Sequence, residues 1–343
     1  MAIAETLNSR QGQPATPELP GRSAIEVHNL VKTYAGGVRA LDGLSFAVEA
    51  GTVFGLLGPN GAGKSTTVKI LTTLSRPTSG TARVAGLDVL KDPEHVRRAI
   101  GCVGQKSGVD AEATGRENLT LQGHLYGNSG PKLRRRVSEL LDRFGLTAAA
   151  DRVARTFSGG MRRKLDVAMG LIHHPQVLFL DEPTSGLDPE ARTDMWKEIT
   201  RLARDEGITV LLTTHYLEEA DRLAQRLAIV DRGKVVAEGS PEELKSGLRG
   251  DAIHIELARS EDMEQARQTL AQLGELRELV SEGRALYARA DHGAAAAPVA
   301  LAALESASVK AASVTVARPS LDDVYLRFAG RAFREADEGG AQK

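Results

Sequence analysis

The sequence is poor in the features that most simply assign a chain. Of 343 residues one is cysteine, Cys102, which excludes an intramolecular disulfide and any zinc site built on paired cysteines. Net charge is equally scarce. Lys and Arg number 44 against 45 Asp and Glu, leaving −1, so the generic electrostatic argument for a nucleic-acid or membrane-surface partner falls away. No run approaches the roughly 18 apolar residues of a membrane span. The longest, Ala294 to Leu304, is mostly alanine, contains Pro298 and ends at Glu305. The first residues lack a charged segment followed by an apolar one, so no secretory signal is expected.

The composition is that of a globular chain, 41% apolar and 26% charged, at a length that suggests about two domains. Residues 1–22 are polar and carry Pro14, Pro17 and Pro20, the signature of a flexible tail. Beyond them, apolar runs expected as strands (Ile25–Leu30, Thr52–Leu57, Val177–Leu180, Ile208–Thr213, Leu227–Val230) alternate with helical patterns. Those helices are expected over Lys64–Leu74, Glu117–Tyr126, Lys132–Phe144, Arg162–Ile172 and Glu190–Arg204. Strands alternating with helices predict an α/β layer fold with a largely parallel core sheet. From about Gly250 the order becomes strand, helix, strand, strand, helix, strand, ending near Ala317. That order predicts a small α+β, ferredoxin-like unit. The expected domains are 23–249 and 250–330, with flexible tails at 1–22 and 331–343. A last helix, Leu321–Phe328, follows Pro319.

The strongest motif is Gly58-Pro59-Asn60-Gly61-Ala62-Gly63-Lys64-Ser65, set between the apolar strand Thr52–Leu57 and a helical pattern opening at Thr66. This is the context of a phosphate-binding P-loop. Glycines let backbone approach phosphates closely, and amides at a helix N-terminus face the anion. Lys64 supplies a positive charge to the β- and γ-phosphates and Ser65 a hydroxyl to Mg²⁺. A second apolar strand, Val177–Leu180, ends in Asp181 and Glu182. Asp181 can hold Mg²⁺ through its hydration shell, and Glu182 can orient or deprotonate water. Standing alone, such carboxylates are as often helix caps.

Phe157-Ser158-Gly159-Gly160-Met161 precedes the helical run from Arg162 and offers another anion site at a helix N-terminus; as a plain N-cap, Ser158 needs no further function. Asp181 lies 23 residues after Ser158, then come Ser185-Gly186-Leu187-Asp188 and His215. In this order the sequence resembles the ATP-binding cassette (ABC) ATPases over residues 24–247. The resemblance implies ATP and Mg²⁺ as cofactors, with Tyr34 stacking on adenine and the loop from Gly58 to Thr66 binding phosphates. It implies Ser65, Gln105 and Asp181 at the metal, Glu182 as catalytic base, Gln105 as the Q-loop residue and His215 as the γ-phosphate switch. Ser158, Gly159, Gly160 and Asp188 would act in trans on ATP held by a second subunit, in a head-to-tail homodimer. Met161 stands where the family usually has glutamine.

The helix-rich stretch 106–165 is the subdomain that, in this family, receives a separate membrane permease. The phrases Thr114-Gly-Arg-Glu-Asn-Leu119, Phe157–Asp166 and Pro319-Ser-Leu-Asp-Asp-Val-Tyr325 bring the resemblance to ATP-binding subunits of the daunorubicin/doxorubicin resistance type. This closer resemblance implies an exporter ATPase on the cytoplasmic side of the cell membrane, driving efflux of a drug or hydrophobic compound. Two other classes compete. A soluble ATPase acting on ribosomes or DNA usually has two cassettes, a coiled coil or a zinc insertion. An importer ATPase usually carries a larger, barrel-like regulatory domain. Among the remaining features, His173-His174 and Arg134–Arg136 are expected at a helix end and on a solvated face. Cys102 is expected as a buried strand residue, and Trp196 as packing on its own helix.

Overall fold

A computed structural model describes residues 23–329; the expected tails at 1–22 and 331–343 lie outside the described residues. The chain opens with β1 (Ser23–Thr33), β2 (Arg39–Glu49) and β3 (Val53–Leu57), which leads into α1 (Lys64–Leu71). Then come β4 (Ser79–Val84), β5 (Leu87–Asp88), α2 (Pro93–Ala99) and β6 (Ile100–Val103). A helical stretch continues the chain, with α3 (Gly115–Leu125), α4 (Gly130–Arg143) and α5 (Gly159–Gly170). Next are β7 (Val177–Asp181), α6 (Pro189–Glu206), β8 (Thr209–Thr214), α7 (Leu217–Leu223), β9 (Arg226–Asp231), β10 (Lys234–Gly239) and α8 (Pro241–Ser246). The last section holds β11 (Asp251–Leu257), α9 (Met263–Ala271), β12 (Arg277–Glu282), β13 (Ala285–Ala290), α10 (Gly293–Ser306), β14 (Ala311–Ala317) and α11 (Leu321–Ala329).

Three sheets result. The central one has the order β10-β9-β3-β8-β7-β6, with β6, β7, β8, β3 and β9 parallel and β10 antiparallel at one edge. Every residue of β3 and β8 is buried, as near-continuous apolar strands covered on both faces should be. An antiparallel sheet, β2-β1-β4-β5, packs against the central one where Phe46 stacks on Phe54 with ring centroids 5.3 Å apart. On the other side, α3, α4, α5 and α6 enclose a second core through residues such as Leu119, Leu140, Phe157, Leu165 and Trp196.

Because β3, β8 and β7 are parallel neighbours, their C-terminal ends lie side by side. The P-loop follows β3, His215 follows β8, and Asp181 and Glu182 end β7. Ligands in open α/β sheets bind at this edge. The P-loop helix is shorter than its sequence pattern suggests. It ends at Leu71 rather than Leu74, because Thr72 caps it and Thr73 turns to φ 64°. Cys102 is corrected: it is exposed, since β6 is an edge strand paired only with β7.

The C-terminal elements form a four-stranded sheet of order β12-β13-β11-β14 with every pairing antiparallel. Helices α9 and α10 bury Ala266, Leu270, Ala300 and Leu304 with Ile253, Ile255 and Leu286 of the sheet. Helix α11 does not join that core. Leu321, Val324 and Tyr325 pack instead with Leu57, Ala220, Leu227 and Ile229 of the nucleotide-binding part. There the Tyr325 hydroxyl donates to Asp231 Oδ1 at 3.0 Å.

Candidate nucleotide site

The P-loop is shaped by where side chains are impossible. A Cβ on Gly58 would stand 2.3 Å from the Val230 carbonyl oxygen, and Gly63 holds φ +112° with Ala40 O 2.7 Å from where its Cβ would be. Only glycine tolerates both the close approach and that backbone conformation. The loop is pinned from behind, since Gly233 N donates to Ala62 O and Ala62 N to Pro59 O. Helix α1 has no side-chain cap and no acidic residue in its first turn, so its leading amides and dipole remain for an anion. Lys64 is 4% exposed, with its ammonium donating to Gly58 O at 2.6 Å and Pro59 O at 3.0 Å. Its charge therefore sits inside the loop.

Two carboxylates face this loop from β7. Asp181 Oδ1 accepts from Ser65 Oγ at 3.3 Å and from Thr213 Oγ1 of β8. A hydroxyl and a carboxylate side by side form the hard-oxygen donor pair that Mg²⁺ takes together with water and phosphate oxygens. Glu182 comes next with φ +49°, a conformation rare outside glycine, asparagine and aspartate. Its N–H donates to Thr213 O at 3.1 Å and Thr213 Oγ1 at 3.2 Å. Gln105 Nε2 donates to one carboxylate oxygen at 3.1 Å, and His215 Nδ1 lies 3.2 Å from the other. The close approach of His215 is the foremost influence holding the Glu182 carboxyl below its ordinary value; burial opposes it, and Lys64 and Gln105 add to the lowering. The result is a buried carboxylate with a neighbour at each oxygen and its ionised form favoured.

Tyr34 stands just beyond β1, 38% exposed, with its hydroxyl 3.4 Å from Thr66 Oγ1 of α1 and the Lys32 ammonium 4.9 Å from its ring centroid. An aromatic face beside the phosphate loop is therefore available for stacking. Ser158 and Asp188 are placed differently. Each caps its own helix: Ser158 Oγ accepts from Met161 N at 3.2 Å and Asp188 Oδ1 from Ala191 N at 2.8 Å. Gly159 has open space where a Cβ would stand, and Gly160 sits close against Ala191. These residues form a second group joining the starts of α5 and α6.

Two residues of the site were not singled out in the sequence. Thr213 bonds both carboxylate residues, and its signal is a hydroxyl inside an otherwise apolar buried strand. Arg163, 8% exposed, reaches from α5 to the backbone around Glu182; its signal is a charge at helical spacing from buried Val167 and Gly170. The other singled-out features behave as ordinary structure. His173 Nε2 donates to Ile100 O at 2.8 Å while its ring stacks on Tyr126, and Trp196 Nε1 donates to Glu219 Oε1 at 3.1 Å.

Comparison with known proteins gives this geometry a family. Residues 41–185 match the family described as ABC transporter, and residues 239–329 that of the DrrA1-3-like ATP-binding protein C-terminal domain. The chain is 48% identical over 308 residues to the daunorubicin/doxorubicin resistance ATP-binding protein DrrA of Streptomyces peucetius, covering 90% of this chain and 92% of that one. It is 38% identical over 336 residues to the Nod factor export ATP-binding protein I of Ralstonia nicotianae, covering 95% of this chain and 100% of the relative. Among solved structures, a dimeric ATP-binding cassette in a post-hydrolysis state with ADP and Pi matches with TM-score 0.58 and 27% identity. That match covers 63% of this chain and 98% of the other.

Proposed function

The chain belongs to the ABC transporter ATP-binding proteins, and on that premise we propose how its residues divide the work of an exporter's ATP-hydrolysing subunit. Tyr34 stacks on the adenine. The amides of residues 58–66 and the Lys64 ammonium hold the phosphates. Ser65 and Asp181, with the side-chain oxygen of Gln105, are the residues that would hold Mg²⁺, which when bound neutralises charge on the β- and γ-phosphates. Glu182 accepts the proton of the attacking water, Gln105 positions that carboxylate and the water, and His215 contacts the γ-phosphate. The observation that carries this reading is the convergence of Gln105 and His215 on the two oxygens of Glu182, beside an Asp181 bonded to the P-loop serine.

In this proposal two copies meet head-to-tail. Ser158 and Asp188 cap the starts of their own helices, and Gly159 faces open space. They then act on nucleotide held by the partner, under the two-fold symmetry usual for such assemblies. ATP binding closes the dimer and hydrolysis opens it. A separate integral-membrane permease receives this motion on residues 106–165, so the chain works at the cytoplasmic face of the cell membrane. The drug-resistance names among its relatives support a drug or hydrophobic compound as cargo.

Complementation tests the trans arrangement. A Ser158→Arg chain mixed with a Lys64→Ala chain yields mixed dimers with one intact composite site. Recovery of ATP turnover in the mixture, with neither variant active alone, is the expected result. Mixed dimers shown by differential tagging, yet without recovered turnover, would remove the head-to-tail arrangement.

A further inference from the structure

Arg163 is a buried cation whose hydrogen bonds are concentrated on backbone. It lies on α5, one turn beyond Gly159 and Gly160, and its guanidinium donates to four carbonyl oxygens on two other segments. Nη1 donates to Gly104 O at 2.7 Å, immediately before Gln105. Nη2 donates to Asp181 O at 2.9 Å and Glu182 O at 3.1 Å, and Nε donates to Pro183 O at 2.9 Å. Arginine has five N–H donors in a rigid planar fork, so four of them are committed to these carbonyls.

The Glu182 carbonyl belongs to a peptide that needs holding. At φ +49° its backbone occupies a region that is strained for a non-glycine residue and persists only where the surroundings over-determine it. Thr213 holds the N–H side of that residue, and Arg163 holds the carbonyl side. The same guanidinium fixes the start of the segment that delivers Gln105 to the Glu182 carboxylate. One turn further along α5, Asp166 Oδ1 accepts from Gly108 N at 2.9 Å, binding the helix to the far end of that segment too. The helix that begins at Ser158–Gly160 is thus joined to both sides of the Gln105 loop and to the turn carrying Glu182.

We propose that Arg163 is a positioning residue for hydrolysis, locking the strained Glu182 turn and the Gln105 loop to the helix that begins with Ser158–Gly160. A displacement of that helix is transmitted through one rigid guanidinium to the catalytic carboxylate. The proposal rests on the reading of Glu182 as the base. It adds that the carboxylate is placed correctly only while α5 holds it.

The test uses the full chain with Arg163→Lys and Arg163→Gln. Lysine keeps the charge but presents a point ammonium that cannot span two segments; glutamine keeps polarity and loses the charge. Both are expected to lower kcat about tenfold to a hundredfold, since a misplacement of about 1 Å can cost that much. ATP binding, measured by nucleotide titration, should stay within about twofold because the P-loop contacts are untouched. Combined with Glu182→Gln, Arg163→Lys should remove little further turnover, because residues acting as one unit are non-additive. An unchanged kcat in both single variants would overturn the proposal, as would an equal fold-loss with and without Glu182→Gln. Failure of both variants to fold would assign Arg163 to folding and overturn it as well. Wild-type turnover by Glu182→Gln alone would instead sink the base assignment, an outcome distinct from any of these.

Discussion

His215 Nδ1 stands 3.2 Å from Glu182 Oε1, across the junction between the end of β7 and the end of β8. The pairing favours the ionised form of the carboxylate. With His215 in place the Glu182 carboxyl is held below its ordinary value, so the contribution of that ionised state to stability is present above the unfolded value, about 4.3. It is lost as pH falls through the lower, folded value.

Replacing His215 by alanine removes the foremost cause of that lowering and leaves the opposing burial. The Glu182 carboxyl is then expected to take up its proton at higher pH than in the parent chain. Carboxyl-carbon NMR titration of glutamate-labelled protein measures this directly, and the acid limb of turnover should move the same way. A Glu182 titration that stays in place in the His215→Ala chain would show that the pairing has no electrostatic weight.

A second prediction concerns the return of the C-terminal helix to the nucleotide-binding part. Tyr325 is fully buried, and its hydroxyl donates to Asp231 Oδ1, just ahead of the Arg232-Gly233 turn whose Gly233 N–H holds Ala62 O of the P-loop. Tyr325→Phe keeps the ring and removes the hydroxyl. A hydrogen bond to a charged group contributes about 1.5–3 kcal/mol, so the midpoint of denaturant unfolding should fall with an unchanged slope. An unchanged midpoint would mean that the bond adds nothing to the joint between the two parts.

The elements of the candidate site were legible because they are short runs whose chemistry depends on local backbone. Gly58–Ser65 needs its glycines in fixed order, and Asp181-Glu182 ends an unmistakable buried strand. The alternation of Leu44, Phe46 and Val48 with half-exposed neighbours in β2 carries the period of a strand packed on one face, but Gly43 and the charged Arg39, Asp42 and Glu49 obscure it. Strand β6, four residues long, is too short for any period, and its edge position decides the exposure of Cys102. Arg163 was hidden inside Arg162-Arg163-Lys164, three consecutive basic residues. Only the helix phase set by Val167 and Gly170 separates the inward arginine from its neighbours. The packing of α11 on the nucleotide-binding part is a long-range contact, from Tyr325 back to Asp231, that no local pattern in Leu321–Ala329 announces.

The central claim is that Glu182 takes the proton of the attacking water in a site that binds ATP independently of that carboxylate. Glu182→Gln tests it most directly, because the amide preserves size while losing the ability to accept the proton. Equilibrium ATP binding and phosphate release should be measured on the same preparation of the variant. The account predicts ATP affinity close to that of the parent chain, with turnover lowered about 10²- to 10⁴-fold, the usual contribution of a general base. Phosphate release at the parent rate with ATP still bound would contradict it.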